Sequence, residues 1–402
     1  MAFDVDRIRS QFPSLDAGAA HFDGPGGTQT PKSVYQAIVD LLAGPVANQG
    51  TVTLAEQRAQ AAVVGARQAM ADLLGADPDG IVFGRSMTAL TFDFARTLSQ
   101  DWGPGDEIVV SRLDHDANVR PWVRYAEKSG ATVKWINFDT TTGYLDVTDV
   151  ESVLSDRTKL VALTGASNLI GTRPDLPAIA KSVHAVGALF YVDGVHLTAH
   201  TAIDVKAIGA DFYGCSPYKF FGPHIGVMAA SPTLLETLHP DKLLPSTEVV
   251  PMRFELGTLP YELLTAITAA VDFIADMAPS TGTRRERIIA SMNAAEEYED
   301  SLSHRLRDGL KSIDGVTVYS NARSKTPTDL FRIDGVDGER AYEYFAKHNV
   351  NAPSSSFYAI ECSRYLGLGD EGGIRAGLAP YNTVEDIDRL LACVRDLASG
   401  KR

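Results

Sequence analysis

The stretch DFYGCSPYKFFGPHIG, residues 211–226, places Lys219 among aromatic and small residues. An apolar strand predicted over residues 212–215 precedes this lysine, and a Gly-Pro turn follows it. Most lysines are solvated, but burial in apolar surroundings would lower the pKa of the amine and make it a nucleophile. The stretch therefore predicts a strand that ends beside a candidate reactive lysine.

On both sides of this stretch, from about residue 50 to residue 230, short apolar segments alternate with amphipathic ones. This alternation predicts an α/β layer with a mostly parallel central sheet flanked by helices. After about residue 260, long helical segments and a few short strands indicate a smaller α+β domain. We therefore predict a large α/β domain at residues 20–258. Residues 259–402, together with residues 1–19, would form the small domain.

Polar residues lie at the predicted carboxyl ends of the strands, where open α/β sheets bind ligands. Thr88, in the turn FGRSMTA (residues 83–89), could bind a phosphate, or Ser86 and Thr88 could merely cap the next helix. Asp193, in YVDGVHLTAH, could ligate a metal, orient a histidine, pair with a protonated ring nitrogen or simply form a turn. Arg375, in GGIRAGLAPYNT, could clamp a carboxylate or form an interdomain salt bridge.

Composition and charge limit the classes of partner. The 402 residues are 45% hydrophobic and carry a net charge of −14 with no basic run, which argues against a nucleic-acid partner. No apolar run approaches the ~20 residues that span a bilayer, and the charged start is unlike a signal peptide. From these features we expect no membrane partner and a cytoplasmic protein.

The cysteines and the neighbouring histidines do not indicate a disulfide or metal framework. Cys215, Cys362 and Cys393 are too sparse for disulfide-based folding, and no Cys/His spacing suggests zinc. His196 and His200 invite a metal interpretation, but no further ligand cluster supports it. We therefore predict no metal site.

Eight strings, in order along nearly the whole chain, carry a family resemblance: FDGPGGTQTP, GRSMTAL, LDHDANVRPW, GASNLIGT, VDGVHLTAH, SPYKFFGP, FELGT and RAGLAPYNT. Together they resemble the class V aminotransferase family of pyridoxal phosphate (PLP) enzymes, and specifically its cysteine desulfurase-like branch. The resemblance implies the PLP-dependent transferase fold (fold type I), PLP as the cofactor and a small amino acid as the substrate.

Carried over position by position, the resemblance makes Lys219 the lysine that forms a Schiff base with PLP. Asp193 would pair with the pyridinium nitrogen and deepen the electron sink of the ring. His115 would stack on the ring, and Arg375 would bind the substrate carboxylate. Lys219, His115 and Asp193 are then the predicted catalytic residues.

The resemblance also implies contacts to the rest of the cofactor. Asn168 would lie beside both the substrate and the oxygen side of the ring. The phosphate would be held partly by a loop of a second subunit, which implies a homodimer with shared active sites. The further predicted contacts are those of Thr88, the N–H of Ala89, Ser216, Gly257 and Thr258 with the phosphate, and of His196 beside the ring.

The chain departs from the desulfurase pattern at several positions. Desulfurases of this family carry a nucleophilic cysteine in a mobile loop before the carboxylate-binding arginine. In the corresponding stretch, NAPSSSFYAIECSRYLGL (residues 351–368), Tyr358 takes that place and Cys362 lies four residues later. His196 stands where glutamine is usual, and Tyr218 where histidine is common. These differences indicate another reaction or substrate rather than loss of the cofactor, and Cys362 is interpreted as structural.

The sequence therefore predicts a PLP-dependent lyase or transferase that acts on a small L-amino acid, with C–S bond breaking by β-elimination as the leading reaction. Removal of the Cα proton and elimination at Cβ need only Lys219 and the cofactor. A persulfide-forming cysteine desulfurase is the alternative, and the sulfur acceptor it would use is unknown. Aminotransferase or epimerase chemistry also stays open, because all these routes begin from one Cα carbanion.

Two hypotheses from other classes are weaker. An inactive binding module would not need to retain Lys219, Asp193 and Arg375 together. A nicotinamide-dependent dehydrogenase would carry a GxGxxG turn after an early strand, and this sequence has none there.

Overall fold

A seven-stranded sheet lies at the centre of residues 3–400, the part of the chain that this computed structural model describes. The strands of this sheet and of the smaller sheets are, in chain order, β1 (Ala20–His21), β2 (Ile81–Gly84), β3 (Glu107–Ser111), β4 (Thr132–Ile136), β5 (Thr158–Thr164), β6 (Leu189–Asp193), β7 (Phe212–Cys215), β8 (Gly226–Ala230), β9 (Val316–Val318), β10 (Thr328–Ile333), β11 (Val350–Asn351), β12 (Ser354–Ser355) and β13 (Gly373–Gly377).

Helices cover the sheet and build the rest of the fold. In chain order they are α1 (Val5–Arg9), α2 (Lys32–Leu42), α3 (Leu54–Leu74), α4 (Met87–Leu98), α5 (Arg120–Ser129), α6 (Val147–Glu151), α7 (Leu176–Ala185), α8 (Val205–Ile208), α9 (Pro232–Glu236), α10 (Tyr261–Ala275), α11 (Arg284–Lys311), α12 (Gly338–Lys347), α13 (Ile360–Tyr365) and α14 (Val384–Ala398).

The strand order in the central sheet is β2-β8-β7-β6-β5-β3-β4. The pairs from β7 to β4 are parallel, whereas β8 runs antiparallel to both of its neighbours. Strands β3, β7 and β8 are buried along their whole length, because helices cover both faces of the sheet. The predicted α/β fold of type I, with a mostly parallel sheet, is therefore confirmed.

Local signals set the helix boundaries. Helix α3 begins after Thr53, whose side chain accepts from the backbone of Glu56 while the Glu56 carboxylate accepts from the backbone of Thr53. The helix ends at Gly75, which adopts a left-handed conformation with φ of 64°. Capping of this kind is encoded within a few residues, so it can be read from the sequence alone.

A second sheet of four antiparallel strands, in the order β12-β13-β10-β9, belongs to the C-terminal part of the chain. Residues of α11, α12 and α14 share an apolar core with it. The N-terminal segment contacts both parts: β1 pairs with β11, while Phe12 packs edge-on against both Phe221 and Tyr381. The domain boundaries given above stay a prediction.

Within residues 3–400, each helix is either too short or too polar to cross a membrane.

Candidate active site

A cavity of ≈ 330 Å³ opens at the carboxyl ends of β5, β6 and β7. The parallel register of β5, β6 and β7 sets Thr164, Asp193 and Gly214 side by side at this edge. The small sheet and the loop before α13 close the opposite wall. Eight of the predicted site residues line this one cavity, namely Thr88, His115, Asn168, Asp193, His196, Ser216, Lys219 and Arg375.

Lys219 lies just beyond β7, with 8% of its surface exposed. Its Nζ donates to the carbonyl oxygen of Pro25 and lies 4.7 Å from the ring centroid of Tyr218. Desolvation, followed by repulsion from Arg375, lowers the pKa of the Lys219 amine from 10.5 to about 7. A large share of the amine is therefore unprotonated at neutral pH and able to act as a nucleophile.

Asp193, the last residue of β6, is buried at the same edge. One of its carboxylate oxygens accepts from the backbone N–H of Val195 at 2.9 Å. Burial raises the pKa of the carboxyl group to about 6, although the Val195 N–H and the charge of Lys219 act in the opposite direction. A cationic ring nitrogen beside this carboxylate would lower that pKa again and stabilise the charged pair.

His115 presents a neutral ring to the cavity. Its Nδ1 accepts from the backbone N–H of Ala117 at 3.0 Å, so the proton of the neutral ring lies on Nε2. Desolvation, followed by repulsion from Lys219, lowers the pKa of His115 to about 4. The ring of Tyr358 stacks on that of His115, with centroids 5.7 Å apart and planes at 24°. Tyr358 and His115 thus place two nearly parallel aromatic rings at the cavity.

Three residues of the cavity wall carry buried polar atoms that have no hydrogen-bond partner within residues 3–400: Asn168 Oδ1, His196 Nδ1 and Arg375 Nε. Buried polar groups cost free energy unless they are paired, so such atoms at a cavity are suited to a polar ligand. With the amine of Lys219 and the carboxylate of Asp193, they fit PLP, a planar aldehyde with a basic ring nitrogen and a phosphate.

His196 joins the cavity to the small sheet. Its Nε2 lies 2.8 Å from Thr326 Oγ1 and 3.1 Å from Thr328 Oγ1. Desolvation, together with the charges of His200 and Arg375, lowers the pKa of His196 well below its usual value, so the ring is neutral at physiological pH. Which nitrogen carries the proton depends on the orientation of the two threonine hydroxyls.

The predicted phosphate contacts only partly converge. Thr88 lies in the first turn of α4, where the helix dipole favours an anion, and Ser216 is buried nearby on the cavity wall. Beneath this turn β8 passes so closely that a Cβ at Gly226 would lie 2.2 Å from the Ser86 backbone. The N–H of Ala89 already donates to Ser86 Oγ, which caps the helix at 3.1 Å. Its contact with a phosphate stays a prediction.

Gly257 and Thr258 are exposed and lie outside the cavity wall. Their predicted partner is the phosphate bound by another subunit, so their position in one chain leaves that prediction open.

The three cysteines are buried and do not line the cavity. Cys362 lies on α13 and Cys215 on β7, both fully buried, and desolvation raises the pKa of each thiol. Burial lowers the thiolate fraction and hence the reactivity of a cysteine. Cys393 lies on α14 in the small-domain core. Tyr358, rather than a thiol, borders the cavity from the loop before α13.

Asp23 and Phe357 also line the cavity wall and have no role predicted from the sequence. Asp23 pairs with Arg375, from Oδ1 to a terminal guanidinium nitrogen at 2.5 Å, and the Phe357 ring centroid lies 3.6 Å from Arg375 Cζ. The string FDGPGGTQTP contains Asp23, but nothing local shows which distant residue it contacts.

The fold and this cavity define a PLP-dependent enzyme of fold type I. The family model for class V aminotransferases matches residues 20–390. An uncharacterized protein of Mycobacterium tuberculosis is 34% identical over 402 residues, which cover 99% of this chain and all of the relative. An aminotransferase-like protein of Gibberella zeae is 32% identical, with 98% of each chain covered.

Among solved structures, the cysteine desulfurase CsdA from Escherichia coli matches with a TM-score of 0.88 and 28% identity over 99% of each chain. This chain belongs to the class V aminotransferase family, and it is a PLP-dependent enzyme similar to the cysteine desulfurases of that family. The predicted family, cofactor and enzymatic character are thereby confirmed. The roles of individual residues stay predictions.

Proposed function

We propose that this enzyme acts on a small L-amino acid with a sulfur substituent at Cβ and breaks the C–S bond by β-elimination. The observation that carries this proposal is the position of Lys219, a buried amine with a pKa of about 7, on the same cavity wall as Asp193 and Arg375. Tyr358 occupies the place of the desulfurase cysteine, and Cys362 is buried in α13 with a raised thiol pKa.

The chain's own residues would bind and orient the substrate. Arg375 would bind the carboxylate, and Asn168 would contact the substrate beside it, so that the Cα–H bond points toward Lys219. The Asp193 carboxylate would keep the ring nitrogen of the cofactor protonated. PLP, when bound, supplies an electron sink for the negative charge that develops at Cα.

Lys219 would then act as the base. Its amine takes the Cα proton, the electron pair of that bond forms the Cα=Cβ double bond, and the Cβ–S bond breaks with its electron pair on sulfur. The released enamine takes up water and yields pyruvate and ammonia. With L-cysteine as the substrate, the products are sulfide, pyruvate and ammonia in equal amounts, with no net oxidation or reduction.

We also propose a homodimer with shared active sites. Leu243, Leu244 and Leu256 expose large apolar side chains in the segment before Gly257 and Thr258. Contiguous apolar patches on a surface often mark an interface, and these side chains would contribute to one. A second subunit that covered this segment would bring Thr258 toward the neighbouring phosphate site.

The decisive experiment follows the products that the purified holoenzyme forms from L-cysteine. We expect pyruvate and sulfide in equal amounts, and we expect Cys362→Ser to retain the activity because a buried thiol takes no part. Alanine and a protein persulfide, both lost in Cys362→Ser, would instead indicate a persulfide-forming desulfurase. Mercaptopyruvate would indicate transamination, and D-cysteine would indicate epimerisation.

A further inference from the structure

The guanidinium of Arg375 is enclosed by other residues of the chain. One terminal nitrogen donates to the backbone carbonyl of Asn168 at 3.0 Å, and the other to Asp23 Oδ1 at 2.5 Å. Phe357 covers one face of the group, and only 2% of the Arg375 side chain is exposed. The position of this cation is therefore set before any substrate arrives.

The backbone of Asp23 is held in place by hydrogen bonds and by a β-bridge. Its carbonyl oxygen accepts from the backbone N–H groups of Gly26 and Gly27 at 2.9 and 3.0 Å, and its backbone forms a bridge with Gly377. A Cβ at position 26 would lie 2.2 Å from Asp23 Oδ2, so the absence of a side chain at Gly26 leaves the room that the carboxylate occupies. The carboxylate lines the cavity with 31% of its side chain exposed.

This arrangement affects how strongly Arg375 can attract an anion. A substrate carboxylate on Arg375 would lie next to the carboxylate of Asp23, and like charges at short range oppose each other. Neither neighbouring histidine supplies a compensating charge, because His115 and His196 are neutral at pH 7. The contribution of Arg375 to carboxylate binding is thus partly cancelled within the chain.

We propose that Asp23 is a specificity-determining residue, which competes with the substrate carboxylate for Arg375 and thereby weakens the preference for amino acids over amines. This inference rests on the proposed function, in which Arg375 is the carboxylate site. It predicts that removal of the Asp23 charge tightens the binding of amino acids without changing that of amines that lack a carboxylate.

The test compares L-alanine with ethylamine, which differ by the carboxylate alone. Dissociation constants for both are measured on the holoenzyme from the change in cofactor absorption, and the ethylamine constant is divided by the alanine constant. In Asp23→Asn this quotient rises about tenfold, entirely through tighter binding of alanine. Asp23→Ser, a second variant without the charge, also raises it, and circular dichroism verifies that both variants are folded.

Arg375→Ala distinguishes failure of this inference from failure of the proposed function. If its quotient stays at the wild-type value, Arg375 is not the carboxylate site, and both that part of the proposed function and the role of Asp23 are wrong. If its quotient falls to about one while Asp23→Asn and Asp23→Ser leave the quotient unchanged or lower it, only the role of Asp23 is overturned. Equal weakening of both ligands in the Asp23 variants would mean that Asp23 merely supports the local structure, which also contradicts the proposal.

Discussion

Two lysines in this chain are buried to the same degree and differ in what surrounds the amine. Lys219, at the cavity, and Lys325, next to the small sheet, are 8% and 9% exposed. Lys325 forms an ion pair with the buried carboxylate of Asp329, and it also donates to the carbonyl oxygen of Ser320. The amine of Lys219 donates to a carbonyl oxygen, and no carboxylate within residues 3–400 lies within ion-pair distance of it.

The pKa shifts of the two lysines share their largest cause and differ in the second. Desolvation is the largest cause at both sites and lowers the pKa of Lys219 to about 7 and that of Lys325 to about 8. The second cause at Lys325 is the charge of Asp329, which raises the pKa, whereas at Lys219 it is repulsion from Arg375, which lowers it further. Equal burial is therefore combined with a compensating carboxylate at Lys325 and with a repelling guanidinium at Lys219.

The largest expected effect is that of Lys219→Ala. Without the amine the cofactor cannot be attached covalently, so the yellow absorption band should disappear and activity should fall about 10³-fold or more. Lys325→Met is the matched control, and it should keep both the band and the activity while its thermal midpoint changes. A Lys219→Ala protein with an unaltered band would contradict the assignment of Lys219 as the anchor.

The two buried aspartates extend the comparison. Asp193→Asn removes the charge that would hold a proton on the cofactor ring, and we expect activity to fall about 100-fold with the fold intact. Asp329→Asn leaves Lys325 without its compensating charge, and we expect the free energy of unfolding to fall by about 3 kcal/mol. For both variants, steady-state rates measure the activity and denaturant titrations measure the free energy of unfolding. Similar losses of activity in both would remove the distinction between the sites.

The pH dependence of cofactor attachment separates the two amines directly. Well below pH 7 the Lys219 amine is protonated and cannot attack the aldehyde, so attachment of PLP to the cofactor-free protein should accelerate as the pH rises through about 7 and level off above it. Stopped-flow absorption gives the midpoint. Lys325→Met should leave it unchanged, and a wild-type midpoint near the ordinary lysine value would show that the amine is not desolvated.

The smallest effect is expected at Arg307, whose Nε lies 3.3 Å from Asp329 Oδ1 and which is the second cation beside that carboxylate. In Arg307→Ala the pair of Lys325 and Asp329 remains, so the free energy of unfolding should fall by only about 1 kcal/mol. Cofactor absorption and turnover should not change. A loss as large as that in Asp329→Asn would mean that Arg307, rather than Lys325, compensates the carboxylate.

Part of the cavity wall could be predicted because some of its residues follow recognisable local patterns. Asp193 ends β6 and Lys219 lies four residues after the end of β7, and parallel strands bring their carboxyl ends to one edge of the sheet. The prediction that Arg375, on β13, binds a carboxylate depended on the family resemblance, since its local sequence was equally compatible with an interdomain salt bridge. Phe357 was missed because its contact with Arg375 depends on the path of a loop.

The sequence by itself determined the alternation of strands and helices up to about residue 230, the mostly parallel sheet, the capping signals of helices such as α3 and, through the family resemblance, the class of cofactor. These follow from apolar periodicity, from capping groups within one helical turn, and from motifs that keep their order along the chain. Only the tertiary structure decided which charges meet. Asp23 and Arg375 are 352 residues apart in the chain, yet they form one ion pair, and Lys219 and Lys325 differ through neighbours that local sequence does not specify. Electrostatic interactions depend on distance in space and on burial, and both are set by the packing of the whole fold.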